Sequence, residues 1–407
     1  MAVHTPAIGL NPWVTSLAAP AVPAVAAWAQ AYDGAQGPLL GFSQAVPGYP
    51  PHARILQRLA DLAADPQTCQ YGDIEGEPAL RSALADWMAR IYGIHPGAAQ
   101  IQITSGCNQA FAVAMQVMAR AGDAVALVEP YYFNHQSTLQ SMGIEIKTVQ
   151  AHAENGFLPT VADVAQVLEQ GVKALVLISP NNPTGAVYSP ELLEQLADLC
   201  QRHGCWLVLD ETYRDFLPAG TVPHRLLERP NWQQHIVLLY SFSKSFCVPG
   251  HRLGALIAGE TFQAETCKVM DNLQICAPRL PQLAIAQALG DPVIHDWLSA
   301  NRDEIARRAQ AMREAFASLQ QAGQTGWQIS AIGAYFAFVR HPLAHADSVQ
   351  VARKLAQECG LLTIPGEFFG PGQGAYLRVA FANAGVDVIE KIPERIGLLA
   401  VPSQVSK

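Results

Sequence analysis

The sequence predicts an α/β protein in which helices cover a mostly parallel sheet and a smaller α+β domain follows. Between residues 124 and 258, short and nearly continuous apolar runs alternate with amphipathic helical patterns. This alternation is typical of a parallel sheet that is buried on both faces. The chain has 407 residues, 50% of them hydrophobic, so it can fill two cores rather than one.

The predicted sheet consists of apolar runs five or six residues long, each bounded by turn residues. They lie at 124–128, 144–149, 174–179, 206–210, 236–241 and 253–258. Apolar residues at helical spacing fill the intervals, for example over 109–120 and 190–203, and also precede the sheet between 50 and 93.

A charged helical pattern over 292–320 separates this region from a second one, with strand 334–340, helix 348–359 and strand 376–380. The first 40 or so residues are rich in Ala, Pro and Val and nearly free of charge, which indicates an arm that packs against the protein. We therefore expect an arm and the first part of the small domain over 1–48, a large domain over 49–291 and a C-terminal small domain over 292–407.

Composition argues against several classes of protein. Asp and Glu total 34 against 26 Lys and Arg, a net charge of −8 without a basic cluster, so a nucleic-acid partner is not expected. The apolar stretch at 17–29 is interrupted by Pro20 and Pro23 and follows no Lys or Arg, unlike a signal peptide or a membrane span. The eight scattered Cys form no C-x-x-C pair, which favours reduced thiols, no metal site and a cytoplasmic location.

One lysine has unusual surroundings. Lys244 lies in the segment S-F-S-K-S-F-C-V-P-G-H-R-L-G (241–254), directly after an apolar strand and eight residues before Arg252. A lysine that forms a Schiff base needs partial desolvation and nearby positive charge to lower its pKa. Taken alone, the segment favours a surface lysine that caps a strand.

Polar side chains follow other predicted strands. Asp210 and Tyr213, in L-D-E-T-Y, and Asn182, in S-P-N-N-P-T-G, would lie at the sheet edge where open α/β sheets bind ligands. The alternatives are a helix cap for Asp210 and ordinary turn chemistry for Asn182. Tyr132, in E-P-Y-Y, is a ring that could stack on a flat ligand or belong to the core.

Two further segments suggest anionic ligands. Ser105 and Gly106 precede a predicted helix, and the first N–H groups of a helix can hold a phosphate, although such turns are common. Arg378, in Y-L-R-V-A-F, lies within an apolar strand. Burying an arginine without an anion costs free energy, so we expect Arg378 to bind either a carboxylate ligand or an acidic side chain in a salt bridge.

In this order, from Q-A-V-P-G-Y near Gln44 to R-V-A-F near Arg378, the motifs resemble those of class I/II aminotransferases, the fold type I enzymes that use pyridoxal 5′-phosphate (PLP). The resemblance covers nearly the whole chain. It implies a large domain with a seven-stranded type of sheet, and transfer of an amino group between an L-amino acid and a 2-oxo acid. It also implies a homodimer with shared active sites.

The resemblance assigns a role to each matching position around the ring of the cofactor. Lys244 matches the lysine that forms the Schiff base and moves a proton, and Asp210 matches the residue that keeps the pyridine nitrogen protonated. Tyr213 and Asn182 match the hydrogen-bond partners of the phenolate oxygen, and Tyr132 matches the ring that stacks on the cofactor face.

Other matching positions surround the phosphate. The backbone N–H groups of Gly106 and Cys107 would bind it, where the family more often has Gly-Ala, and Tyr71 would reach the phosphate of the neighbouring subunit. The remaining positions expected at the phosphate are Ser105, Ser241, Ser243 and Arg252.

The substrate side of the resemblance is less specific. Arg378 matches the arginine that grips the α-carboxylate, with Asn182 beside it, and Ala45 replaces the usual glycine next to the substrate. Some bacterial members that accept acidic substrates have a lysine where this chain has Asn108. We therefore expect neutral, apolar or aromatic donors to be preferred over aspartate and glutamate, with Tyr335 and Phe336 as candidate walls or, equally, core residues.

Two other functions remain compatible with the motifs or the scaffold. The same scaffold hosts carbon–sulfur lyases and decarboxylases, which would share Lys244 and Arg378. A PLP-binding regulator would need an added basic helix-turn-helix segment, which this sequence does not contain.

Overall fold

The computed structural model describes residues 9–324, 326–343 and 345–399. Its strands, numbered along the chain, are β1 Leu40–Gly41, β2 Ile101–Thr104, β3 Ala124–Glu129, β4 Glu145–Gln150, β5 Ala174–Ile178, β6 Trp206–Asp210, β7 Ile236–Ser241, β8 Gly254–Ile257, β9 Gln328–Gly333, β10 Phe336–Arg340, β11 Leu361–Leu362, β12 Ile364–Pro365 and β13 Tyr376–Ala380. Its α-helices are α1 Pro12–Thr15, α2 Ala21–Ala29, α3 Ala53–Ala63, α4 Pro78–Tyr92, α5 Cys107–Met118, α6 Phe133–Ser141, α7 Val161–Leu168, α8 Pro190–His203, α9 Phe242–Ser245, α10 Glu260–Gln274, α11 Arg279–Leu289, α12 Pro292–Gln321, α13 Ser348–Glu358, α14 Val386–Ile389 and α15 Ile392–Gly397.

Strands β2 to β8 form a seven-stranded sheet in the spatial order β2-β8-β7-β6-β5-β3-β4. Neighbours from β4 to β7 are parallel, whereas β8 is antiparallel to both β7 and β2. The prediction of a mostly parallel sheet is confirmed, with β8 as the reversed strand. β2 is absent from the predicted strands because Gln102 and Thr104 interrupt its apolar pattern.

Helices cover both faces of this sheet, as its apolar strands require. Every residue of β3, β5 and β7 is buried. Successive side chains point to opposite faces, so that Val208 packs in the cluster with Phe111 of α5, whereas Leu207 packs in the cluster with Leu196 of α8.

A second, antiparallel sheet has the order β12-β13-β10-β9 and its own hydrophobic core. The long helix α12 precedes it in the chain, and Asp291 caps that helix by accepting a hydrogen bond from the Val293 N–H (3.0 Å). Residues 40–42 attach to this second unit, because β1 pairs with β11 and the Ala380 N–H donates to the Phe42 carbonyl (2.8 Å).

The carboxyl ends of the parallel strands bring distant parts of the sequence together. Tyr132 follows β3, Asn182 follows β5, Asp210 ends β6 and Ser241 ends β7. Open α/β sheets bind their ligands at this edge. Across the described residues, no helix has both the length and the apolar character that a bilayer crossing requires.

Candidate active site

A cavity of about 450 Å³ lies at the carboxyl edge of the large sheet. The large sheet, the small sheet and the arm all contribute to its walls. The lining residues are Pro20, Ala21, Val22, Pro23, Gln44, Ala45, Val46, Cys107, Asn108, Tyr132, Phe133, Asn134, Ile178, Asn182, Asp210, Thr212, Tyr213, Ser241, Ser243, Lys244, Pro249, Arg252 and Arg378. The structure therefore brings together twelve of the fifteen site residues expected from the sequence, all except Ser105, Gly106 and Tyr71.

Lys244 enters this cavity from α9, the single helical turn that follows β7. The Ser241 hydroxyl accepts a hydrogen bond from the Ser243 N–H (3.3 Å) and so caps that turn. The Lys244 Nζ donates to the Ala45 carbonyl (2.5 Å). Burial, together with the positive charges of Arg378 and Arg252, lowers the pKa of Lys244 to about 8. A substantial fraction of the amine is therefore unprotonated near pH 8 and can act as a nucleophile or a base.

Asp210 is a buried carboxylate on the floor of the cavity. Its Oδ1 accepts hydrogen bonds from the N–H (2.9 Å) and hydroxyl (2.7 Å) of Thr212, and its Oδ2 lies 3.4 Å from the Nε2 of His135. Burial by itself would raise the pKa of Asp210, but the interactions with His135 and Thr212 outweigh burial and lower it. Asp210 therefore stays ionised at neutral pH and can stabilise a cationic group within the cavity.

Two tyrosines lie beside Asp210. Burial raises the pKa of Tyr132 to about 12 and that of Tyr213 well above its ordinary value, so both hydroxyls keep their protons. The Tyr132 hydroxyl accepts a hydrogen bond from the Asn134 Nδ2 (2.8 Å). A protonated phenol can in turn donate to an anionic oxygen of a ligand.

The N-terminal end of α5 opens into the cavity near Arg252. Gly106 precedes the helix with a φ of 88°, and a Cβ at this position would collide with the Arg252 guanidinium. Among the described residues, nothing accepts a hydrogen bond from the N–H groups of Cys107 and Asn108. Two free amides, a helix N-terminus and a guanidinium together form a cradle for an anion such as phosphate.

Three expected residues lie outside the lining of this cavity. The Gly106 N–H donates to the Thr104 carbonyl (2.8 Å), so the free amides are those of Cys107 and Asn108 rather than Gly106. The Ser105 hydroxyl accepts from the Gln274 Nε2 (2.5 Å) at the rear of the cradle. Tyr71 is 77% exposed on the surface and contributes nothing to the cavity of its own chain.

Arg378, on β13, is 98% buried, being only 2% exposed. Its Nη1 donates to the Asn182 Oδ1 (3.0 Å), its Nη2 donates to the Ser43 carbonyl (2.5 Å), and its Nε has no partner within the described chain. Phe336 and Phe369 flank the guanidinium, each with its ring centroid 5.1 Å away. No acidic side chain of the described residues pairs with Arg378, which leaves a buried cation ready for a carboxylate ligand.

Sequence reasoning misses His135, which lies one turn beyond Tyr132 and holds Asp210 while stacking on Phe111 with a centroid distance of 3.9 Å. The arm itself was expected, but its contribution to the cavity was not, because the short apolar segment 20–23 has no motif that marks a pocket wall. Tyr335 and Phe336, the candidate walls, do not line the cavity and are fully buried behind it. Of the two interpretations left open by the sequence, the core interpretation describes them.

Along most of its length the chain is similar to known proteins. The family model described as aminotransferase class I and II matches residues 38–396. An aromatic aminotransferase of Arabidopsis thaliana is 30% identical over 350 residues, which are 84% of this chain and 85% of the relative. An arginine–pyruvate transaminase of Pseudomonas aeruginosa is 28% identical, with coverage of 87% and 88%. The solved structure of aspartate aminotransferase from Thermus thermophilus with maleate has a TM-score of 0.86 and 26% identity, and covers 96% of this chain and 99% of that one.

Proposed function

Because the chain belongs to the class I and II aminotransferase family and catalyses amino transfer between an amino acid and a 2-oxo acid, we propose which residues hold the cofactor, which one binds the donor and which donors react best. Enzymes of this family use PLP.

The residues of the cavity fit PLP. Asp210 is an ionised carboxylate suited to a protonated ring nitrogen, and the Lys244 amine has a pKa low enough to react with an aldehyde. The amides of Cys107 and Asn108, with Arg252, suit the phosphate group. When bound, PLP supplies an electron sink for the electron pair that remains when the donor loses its α-proton.

The remaining chemistry belongs to the side chains. Lys244 holds the cofactor. Its amine then takes the proton from the donor's Cα and delivers it to the C4′ atom of the cofactor. Asp210 keeps the ring nitrogen positively charged, and His135 and Thr212 fix the orientation of its carboxylate. Tyr213 keeps its phenol proton and donates a hydrogen bond to the phenolate oxygen of the cofactor.

Arg378 binds the α-carboxylate of the donor through its planar fork of N–H groups. Asn182 accepts from one end of that fork and therefore orients the guanidinium. Arg378 and Lys244 both contribute to the same cavity, so a donor whose carboxylate is held by Arg378 lies in the cavity that Lys244 enters.

The charges of the cavity support a preference for neutral donors. The cationic side chains among the described lining residues are Lys244, Arg252 and Arg378, and each already has a role. The other lining residues include Pro20 to Pro23, Val46, Phe133 and the neutral amide of Asn108. A second carboxylate buried there would have no cation, at a cost of several kcal/mol. The observation that supports the proposed preference is that the described lining residues include no cation beyond these three.

A donor panel tests the preference directly. With one 2-oxo acid held constant, kcat/KM is measured for aspartate, phenylalanine, methionine and alanine, and the neutral donors should exceed aspartate. The Asn108→Lys variant supplies a cation beside the apolar wall and should shift the ratio of aspartate to phenylalanine by about tenfold or more, equivalent to roughly 1.4 kcal/mol.

Gln116→Lys provides the matched control, because Gln116 lies on the same helix but is exposed and does not line the cavity. It should leave the ratio unchanged. A wild-type preference for aspartate over all three neutral donors would overturn the proposal and would point to a cation contributed by a partner subunit.

We also propose that the active enzyme is a homodimer with shared sites. The exposed Tyr71 side chain cannot serve the cavity of its own chain, and the resemblance places the equivalent tyrosine at the phosphate of the partner. Its neighbour Gly72 donates its N–H to the Cys276 Sγ (3.4 Å), so the loop that presents Tyr71 is attached to the body of the large domain.

A further inference from the structure

The turn between β9 and β10 packs against the loop after β5, with Ala334 partly buried and Tyr335 fully buried, unlike an exposed hairpin tip. Ala334 adopts a positive φ of 43° within this turn, and Tyr335 has no exposed surface. Gly185, with a φ of 78°, lies so close that a Cβ on it would come 2.8 Å from the Phe336 carbonyl oxygen. The turn therefore packs in close backbone contact with the loop that carries Asn182.

Tyr335 reaches from this turn to the backbone of the catalytic lysine. Its hydroxyl donates a hydrogen bond to the Lys244 carbonyl (3.3 Å). Within the described residues no backbone N–H donates to that carbonyl, and its other contact is the Cys247 Sγ at 3.9 Å. The tyrosine ring is fixed by Phe216 and Tyr213, with centroid distances of 4.7 and 5.3 Å.

We propose that Tyr335 is a positioning residue for Lys244, an inference that rests on the proposed role of this lysine. α9 is only four residues long, so it has few internal hydrogen bonds to keep the peptide plane after Lys244 in one orientation. The hydroxyl of Tyr335 supplies that constraint. Proton transfer requires the amine within hydrogen-bond reach of the donor's Cα, and small misplacements of a catalytic group slow the reaction strongly.

The same turn also leads into the strand opposite the donor-binding arginine. Phe336 begins β10, its ring lies against the Arg378 guanidinium, and Phe338 on that strand pairs with Arg378 on β13. Tyr335 therefore fixes Lys244 relative to the strand pair that holds the donor's carboxylate. A change at Tyr335 should alter the catalytic step more than donor binding.

The test compares Tyr335→Phe with the wild-type holoenzyme. The variant keeps the ring packing but removes the hydroxyl. We expect kcat to fall about 3- to 10-fold, the range given by loss of one ordinary hydrogen bond, with KM for the donor unchanged. The pH midpoint of the visible absorbance of the lysine-bound cofactor should also move, by roughly 0.3 unit or more, because the environment of the Lys244 nitrogen changes.

Tyr376→Phe is the matched control, since Tyr376 lies on β13 in the same sheet and its hydroxyl makes no hydrogen bond within the described chain. This control should match the wild type in kcat and in the spectroscopic midpoint. A Tyr335→Phe enzyme that behaves like the control, or that loses only thermal stability, overturns the inference. Neither result affects the proposed role of Lys244, which depends on labelling and substitution of the lysine itself.

Discussion

Arg378→Lys tests the proposed donor site most sharply, because it keeps the positive charge and removes the planar fork. In the wild type, one Nη donates to Asn182 and the other to the Ser43 carbonyl, and two phenylalanine rings flank the guanidinium. The ammonium group of lysine is a point charge and cannot reproduce these directions. The variant should therefore still attract the donor's carboxylate but no longer hold it in one orientation.

The expected loss follows from the number of directed hydrogen bonds. A hydrogen bond that involves a charged group contributes about 1.5–3 kcal/mol, and the substitution removes one of the two that a carboxylate can accept from the fork. A loss of roughly 1.5–3 kcal/mol corresponds to about a 13- to 160-fold decrease in kcat/KM for amino acid donors.

The assay compares each amino acid with the amine that lacks its α-carboxylate. Arg378→Lys should lower kcat/KM for the amino acid and leave the slow reaction of the amine within about twofold. Arg340→Lys on the neighbouring strand is the control, because Arg340 is exposed and lies outside the cavity. Equal losses with the amino acid and the amine, or a loss below about threefold, would refute carboxylate binding by Arg378.

Three other predictions concern the cofactor residues. Lys244→Ala should abolish turnover, and borohydride reduction of the wild type followed by mass spectrometry should place the pyridoxyl group on Lys244; a label on another lysine contradicts the assignment. Asp210→Asn should lower kcat by ~10²–10⁴-fold, and a variant within threefold of wild type would leave Asp210 as a structural residue. Co-refolding inactive Lys244 and Tyr71 variants should restore activity in heterodimers, whereas a fully active monomer in sedimentation would exclude a shared site.

Much of the large domain could be predicted because its strands are buried on both faces. β6 and β7 match their predicted ranges residue by residue, since continuous apolar runs admit few other registers. β2 could not be found in this way, because two of its four residues are polar although all four are buried. The direction of β8 has no local signal either, since an apolar strand has the same pattern in a parallel or an antiparallel ladder.

The candidate site was predictable where a residue ends a parallel strand or follows it within a few residues. Asp210, Tyr132 and Asn182 share the carboxyl edge that parallel strands create, so chain order was sufficient to group them. Tyr335 shows the opposite case. The predicted strand 334–340 begins only at Phe336 in the structure, so Tyr335 lies in the preceding turn. Whether an aromatic residue here lines the cavity or is buried behind it depends on how the small domain packs on the large one. His135 likewise becomes recognisable only when its ring is seen beside Asp210.

The arrangement of charges links donor binding to the reactivity of the lysine. Burial is the largest cause of the lowered pKa of Lys244, and the positive charges of Arg378 and Arg252 lower it further. Under the proposed roles, these two arginines bind the anions of the donor and the cofactor, and each anion would offset part of the repulsion that they exert on the amine. The lysine is therefore less basic before a donor carboxylate binds Arg378 than afterwards. It becomes more basic once a donor carboxylate neutralises Arg378, which is the stage at which it must accept a proton.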